Sequence, residues 1–171
     1  MKRPNERNLR AAQEWLEHAS IDLRYARRGV NDRLILGAHV CFHAQQAAEK
    51  AIKALLLAHG QQFPFTHDLE TLISVLKSSR IAAPSFVRRA GRLSPYAVQL
   101  RYPGDAEQDV GKPEVRSAIS LAGKVLAWAA RAVERSAKST HCSTKTEIIP
   151  RHAPDISKAT RNKKKPNGEK E

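Results

Sequence analysis

Four polar groupings carry the side chains with which this 171-residue chain can do chemistry. The first runs from Phe42 to Lys53 and holds His43, Gln45, Gln46, Glu49, Lys50 and Lys53. The second is Thr66-His67-Asp68, the third Arg88-Arg89 with Arg92, and the fourth Leu100-Arg101-Tyr102-Pro103. Histidine moves protons near neutral pH, Lys and Arg hold phosphate, and a Tyr ring stacks on a base. No glycine-rich phosphate loop accompanies them. The two cysteines, Cys41 and Cys142, stand too far apart for a metal motif, so neither a metal nor a cofactor is expected, and a reducing cytoplasm is.

The first and third of these groups sit on helices, the second in a loop and the fourth in a turn. Leu9, Ala12, Trp15, Leu16, Ala19, Leu23 and Ala26 recur at three- and four-residue steps, which predicts a helix over residues 8–28 ended by Gly29. A second is predicted from Asp32, as its cap, to His59, and a short third after Thr66 or Asp68. Pro84 opens a fourth, weakened by Gly91 and Pro95, and Pro113-Glu114 opens a fifth through Val133. After Ser136 the periodicity vanishes. The chain therefore reads as one helical domain over 8–136 with a disordered basic tail over 137–171. Aromatics at 5% and scarce β-branched runs leave little for a sandwich or barrel.

The formal charge is +13. Residues 1–136 hold 21 basic and 13 acidic side chains, and residues 137–171 hold nine and four, so domain and tail are both basic and suit an anionic partner. No apolar stretch follows the basic N-terminus as in a secretory signal, and no window is long enough to span a membrane. The length excludes a multidomain enzyme.

At 100° per residue Gln45 falls between Cys41, Ala48 and Ile52 on the apolar face of the second helix, with Glu49 at its edge. A buried amide or carboxylate left unpaired costs roughly 1–3 kcal/mol, so something opposite must supply donors. Arg101 is the candidate, as a bidentate donor to Glu49 and Gln45. A solvated face accounts for His43 and Lys50, and another for Arg88, Arg89 and Arg92.

The string His43-Ala44-Gln45-Gln46-Ala47-Ala48-Glu49-Lys50-Ala51-Ile52-Lys53-Ala54-Leu55, then Thr66-His67-Asp68-Leu69, then Leu100-Arg101-Tyr102-Pro103, resembles the HEPN domain family (higher eukaryotes and prokaryotes nucleotide-binding) over roughly residues 10–135. The resemblance implies an all-α, up-and-down four-helix bundle with a short additional helix, a homodimer, and a minimal nucleotidyltransferase as partner, often in toxin–antitoxin systems. It also implies, in the catalytic branch, a metal-independent endoribonuclease with Arg-x(4–6)-His near the start of the last long helix. Here Arg33–His39 and Arg135–His141 have that spacing, as many matches as composition gives by chance, and neither lies at that place. No His follows Arg101 within six residues. The sequence thus points to the non-ribonuclease branch with its Arg-Tyr-Pro block, and to no catalytic residue. The expected nucleotide or RNA site is Lys50, Lys53, His67, Arg101 and Tyr102, and the expected structural network is Gln45, Glu49 and Arg101. The alternatives are a ribonuclease toxin using His67 or His43, and a helical interaction module without ligand.

Overall fold

The computed structural model describes residues 5–99 and 110–144, without the side chains of Gln99 and of residues 139–144. The expected Arg101 and Tyr102 lie outside the described residues, as does the tail from residue 145 onward. All regular structure among the described residues is helical: α1 (Glu6–Gly29), α2 (Gly37–Ala58), α3 (Leu69–Ser78), α4 (Ser85–Arg88), a 3-10 turn (Arg89–Leu93), α5 (Tyr96–Gln99) and α6 (Lys112–Thr144). None of these helices is long and apolar enough to cross a membrane.

The three long helices form the frame of the bundle. The seven-residue connection between α1 and α2 makes them antiparallel neighbours, and α6 packs on both. Leu9, Ala12, Ala19, Leu23 and Ala26 of α1, Ile52, Leu55 and Leu56 of α2, and Val125, Ala129 and Val133 of α6 are buried together. The short helices close the remaining side with Leu69, Leu72 and Leu76 from α3, then Val87 and Leu93. α2 lies at the centre, and seven of its residues are buried alanines, small enough to let neighbouring backbones approach.

Three element boundaries differ from the sequence reading. Asp32 does not cap α2: its Oδ1 accepts the Leu34 N–H at 2.9 Å within the α1–α2 connection, and α2 starts at Gly37 without a side-chain cap. The expected kinked fourth helix is divided into α4, a 3-10 turn and α5. Gly91 stands where the turn passes α3, and a Cβ there would meet Glu70 Cγ at 2.6 Å. Finally, α6 runs to Thr144, past the end expected at residue 136, because Ser136 bonds back to the Ala132 carbonyl and Ala137 packs on the core.

The ends of α2 and α3 share a backbone solution. Gly60 N–H donates to the Leu57 carbonyl and Gln61 N–H to Leu56; Arg80 N–H donates to Lys77 and Ile81 N–H to Leu76. Both are Schellman caps, in which one residue turns left-handed. At the first that residue is Gly60, with φ +66°; at the second it is Arg80, with φ +57°. A side chain in that conformation costs about 1 kcal/mol that glycine avoids. Arg80→Gly is therefore expected to raise the melting temperature by a few degrees in a thermal denaturation series, and a fall would show that Arg80 holds the fold in another way.

Candidate functional site

Gln45, Glu49 and Lys53 follow one another at i, i+4 along α2, and all three are buried. Glu49 is only 2% exposed, so its charge needs close partners. Lys53 Nζ donates to Glu49 Oε1 at 2.7 Å and to the Thr66 carbonyl at 3.0 Å. Gln45 spends both amide hydrogens, one on Glu49 Oε2 and one on the His67 carbonyl, each at 2.9 Å, while its own oxygen accepts from Gln46 at 2.8 Å. His67 Nδ1 lies 3.2 Å from both Glu49 oxygens, and a carboxylate only accepts, so that nitrogen carries the proton. The Lys53 ammonium also lies 5.7 Å from the Trp15 ring centroid and 5.4 Å from that of Phe63, in an aromatic corner that favours a cation.

This network places the loop before α3 by its main chain, since the carbonyls of Thr66 and His67 are both anchored to α2. Asp68 then caps α3 through the N–H groups of Glu70 and Thr71, and accepts from Ser94 Oγ at 2.9 Å. Ser94 Oγ in turn accepts the Leu69 N–H at 2.9 Å. The loop, the start of α3 and the residue after the 3-10 turn thus form one hydrogen-bonded unit. The Thr71 hydroxyl and those other donors hold the Asp68 carboxyl below the usual carboxylate range.

His43 and Lys50 are not simply solvated. Asp22, buried on α1, holds both: His43 Nδ1 lies 3.0 Å from Asp22 Oδ1, and Lys50 pairs with Asp22 Oδ2. Tyr25 stacks on the His43 ring at 5.2 Å. Asp22 escaped the sequence reading, although an acid three residues after Ala19 and next to Leu23 was a signal that the apolar stripe carries a charge. A third polar contact joins α5 to α6, where the Tyr96 hydroxyl donates to Glu114. Burial lifts the Tyr96 hydroxyl pKa and pushes the Cys41 thiol up to about 11, which keeps that thiol protonated and inert.

Beside the anchored loop a cleft of about 700 Å³ opens between Phe65, His67, Asp68 and Glu70 on one side and Arg92, Pro95 and Val98 on the other. The Phe65 ring is fully exposed at its edge. The expected site residues therefore divide: His67 reaches this cleft, Lys53 and Lys50 are committed to buried carboxylates, and Arg101 and Tyr102 fall beyond the described residues. Phe65 and Arg92 join His67 there. A single exposed Phe gives no periodic signal, and in sequence Arg92 reads as part of a solvated face.

The HEPN domain profile matches residues 12–152. This chain belongs to the HEPN domain family. Among solved HEPN-like folds, a Thermus thermophilus protein, TT1696, is 36% identical, with a TM-score of 0.60 over 73% of this chain and 97% of its own. ST0689, an archaeal HEPN homologue, is 23% identical with a TM-score of 0.58, covering 78% of this chain and 99% of its own, and supports the fold. No curated protein matches. In this HEPN chain Gln45, Glu49 and Lys53 of the second helix form the scaffold on which the loop after it is mounted.

Two measurements test that scaffold. Lys53→Met leaves Glu49 buried with Gln45 and the half-exposed His67 as its remaining donors, and should lower stability by about 3 kcal/mol in urea denaturation; a loss below about 1 kcal/mol would show that Glu49 is satisfied without it. Asp68 has a lower pKa folded than unfolded, so its stabilisation is present above pH 3.8 and is lost as pH falls through the folded value. The melting temperature of Asp68→Asn should accordingly fall less between about pH 5 and pH 3 than that of the parent. Equal slopes would remove the charge from the cap.

Proposed function

We propose that this HEPN protein is a non-catalytic nucleotide- or RNA-binding subunit that works as a homodimer with a minimal nucleotidyltransferase, in a system of the toxin–antitoxin kind. The observation that carries the ligand half is the exposed Phe65 ring on an anchored loop. An aromatic ring held out at the lip of a cleft costs little further entropy on binding, and a nucleobase stacked on such a ring gains roughly 1–3 kcal/mol. His67 and Arg92 face the same space. Glu70 favours the parts of a nucleotide that donate, its ribose hydroxyls and base amino groups, while the Asp68 oxygens are taken up by the α3 cap and Ser94. In this reading Arg101 and Tyr102, three and four residues after Val98, add a guanidinium and a second ring, while Lys50 and Lys53 hold the scaffold.

The absence of catalysis is proposed from what the nominated histidines do. His67 and His43 are tied to different carboxylates, one to Glu49 and one to Asp22, and each carboxylate also holds a lysine. Such pairing suits registration of helices and loop.

Thermal-shift titration with ATP, GTP, CTP and a short RNA at two salt concentrations tests the reading. A saturable shift that survives the higher salt, and is lost in Phe65→Ala and in Arg101→Ala, is expected. An equal shift for all ligands at low salt alone would reduce binding to general charge attraction. RNA cleavage in EDTA that disappears in His43→Ala or His67→Ala would replace the binding reading with a ribonuclease. A monomer in size-exclusion chromatography would overturn the dimer.

A further inference from the structure

At the C-terminal end of α3 two clefts share the segment 80–82. One, of about 610 Å³, also has Lys77 and Arg88 in its wall; the other, of about 350 Å³, has His59, Trp128 and Arg135. No carboxylate lines either of them. Among the described residues, no Asp or Glu lies within ion-pair distance of Lys77, Arg80, Arg88 or Arg135. Lys50 and Lys53 of α2 each hold a carboxylate, and the Phe65 cleft carries Asp68 and Glu70; here, among the described residues, four cations line the joined clefts with no carboxylate beside them.

Arg80 is the cation common to both clefts, and it occupies the left-handed cap position that glycine fills at the end of α2. A side chain kept where the backbone disfavours one points to work done by that side chain. The half-buried Trp128 lines the smaller cleft together with Arg80 and Arg135. Guanidinium forks match phosphate oxygens, and an indole face takes a base.

We propose that the clefts joined at Arg80 form a phosphate-binding groove, separate from the Phe65 cleft, for a ligand that lays an aromatic base against Trp128. The identity of that ligand rests on the nucleotide- or RNA-binding reading above. A nucleoside polyphosphate and a single-stranded RNA share this chemistry. The ten residues of α3 set the groove about 15 Å from the Phe65 cleft, along a helix anchored at its start. A mononucleotide fills one site, whereas a short RNA engages both.

The test titrates the full chain with tripolyphosphate, ATP and a short single-stranded RNA, followed by tryptophan fluorescence and thermal shift, for the parent, Arg80→Gly, Arg80→Lys and Phe65→Ala. Arg80→Gly keeps the backbone cap, so it remains folded while losing the guanidinium. It is expected to weaken tripolyphosphate binding at least tenfold and to lower the salt-dependence slope for RNA by about 0.7, the share of one phosphate contact on a single strand. Arg80→Lys should retain most of the affinity, and Phe65→Ala should leave tripolyphosphate binding unchanged. Parent-like binding of all three probes by Arg80→Gly overturns the groove. ATP or RNA binding lost in Phe65→Ala yet unaffected in Arg80→Gly leaves the functional reading standing without it. Arg80-dependent tripolyphosphate binding with no response to ATP or RNA leaves the groove and removes the nucleotide reading. Silence from all three probes removes both.

Discussion

A carboxylate inside a helical bundle sets the terms for everything packed around it. Glu49 lies on the central helix, where the surrounding side chains are largely alanine and leucine, and a charge there is tolerable only with full pairing. Lys53 supplies the opposite charge one turn on, but a buried ammonium has three hydrogens to place, and one goes to a loop carbonyl. Gln45 does the same from one turn back. Neutralising one acid thus fixes a loop by its backbone, and that loop fixes the start of α3. The short helices bury Leu69, Leu72, Leu76, Val87 and Leu93, and this anchoring sets where on the bundle they do so.

The charges of the molecule fall into two groups. Those near the core occur in closed sets, Glu49 with Lys53 and His67, Asp22 with Lys50 and His43. The arginines of α4, of the 3-10 turn and of the helix ends lie at the surface, and they carry much of the domain's positive excess. Sequence position alone does not separate the groups, because lysine has the same charge wherever it stands. Burial does, since a low-dielectric interior allows only paired charge.

The helices were legible because their apolar spacing is a direct record of which face is buried, and Gln45 and Glu49 stood out as polar interruptions of that record. Their partners were less legible. Backbone carbonyls such as those of Thr66 and His67 have no residue type to announce them, so the sequence shows neither the Gln45–His67 nor the Lys53–Thr66 contact. The Glu49–Lys53 spacing itself was a sign of their pairing. The start of α2 was misplaced because Asp32 has two uses for its side chain, a helix cap or a turn, and local sequence does not choose between them. The cleft beside Phe65 and the groove at Arg80 are assembled from separate segments, and no periodicity reports on such convergence.

α2 has a consequence for how the molecule moves. Among its residues His39 alone is exposed, and α1, α6 and the short helices cover the rest. A helix enclosed in this way cannot fray sideways: its amide hydrogens reach solvent only when the whole bundle opens, so they exchange at the rate set by global unfolding. Gln45 and Lys53 tie the loop to this enclosed helix, so the place of the Phe65 ring is set from the most protected part of the bundle.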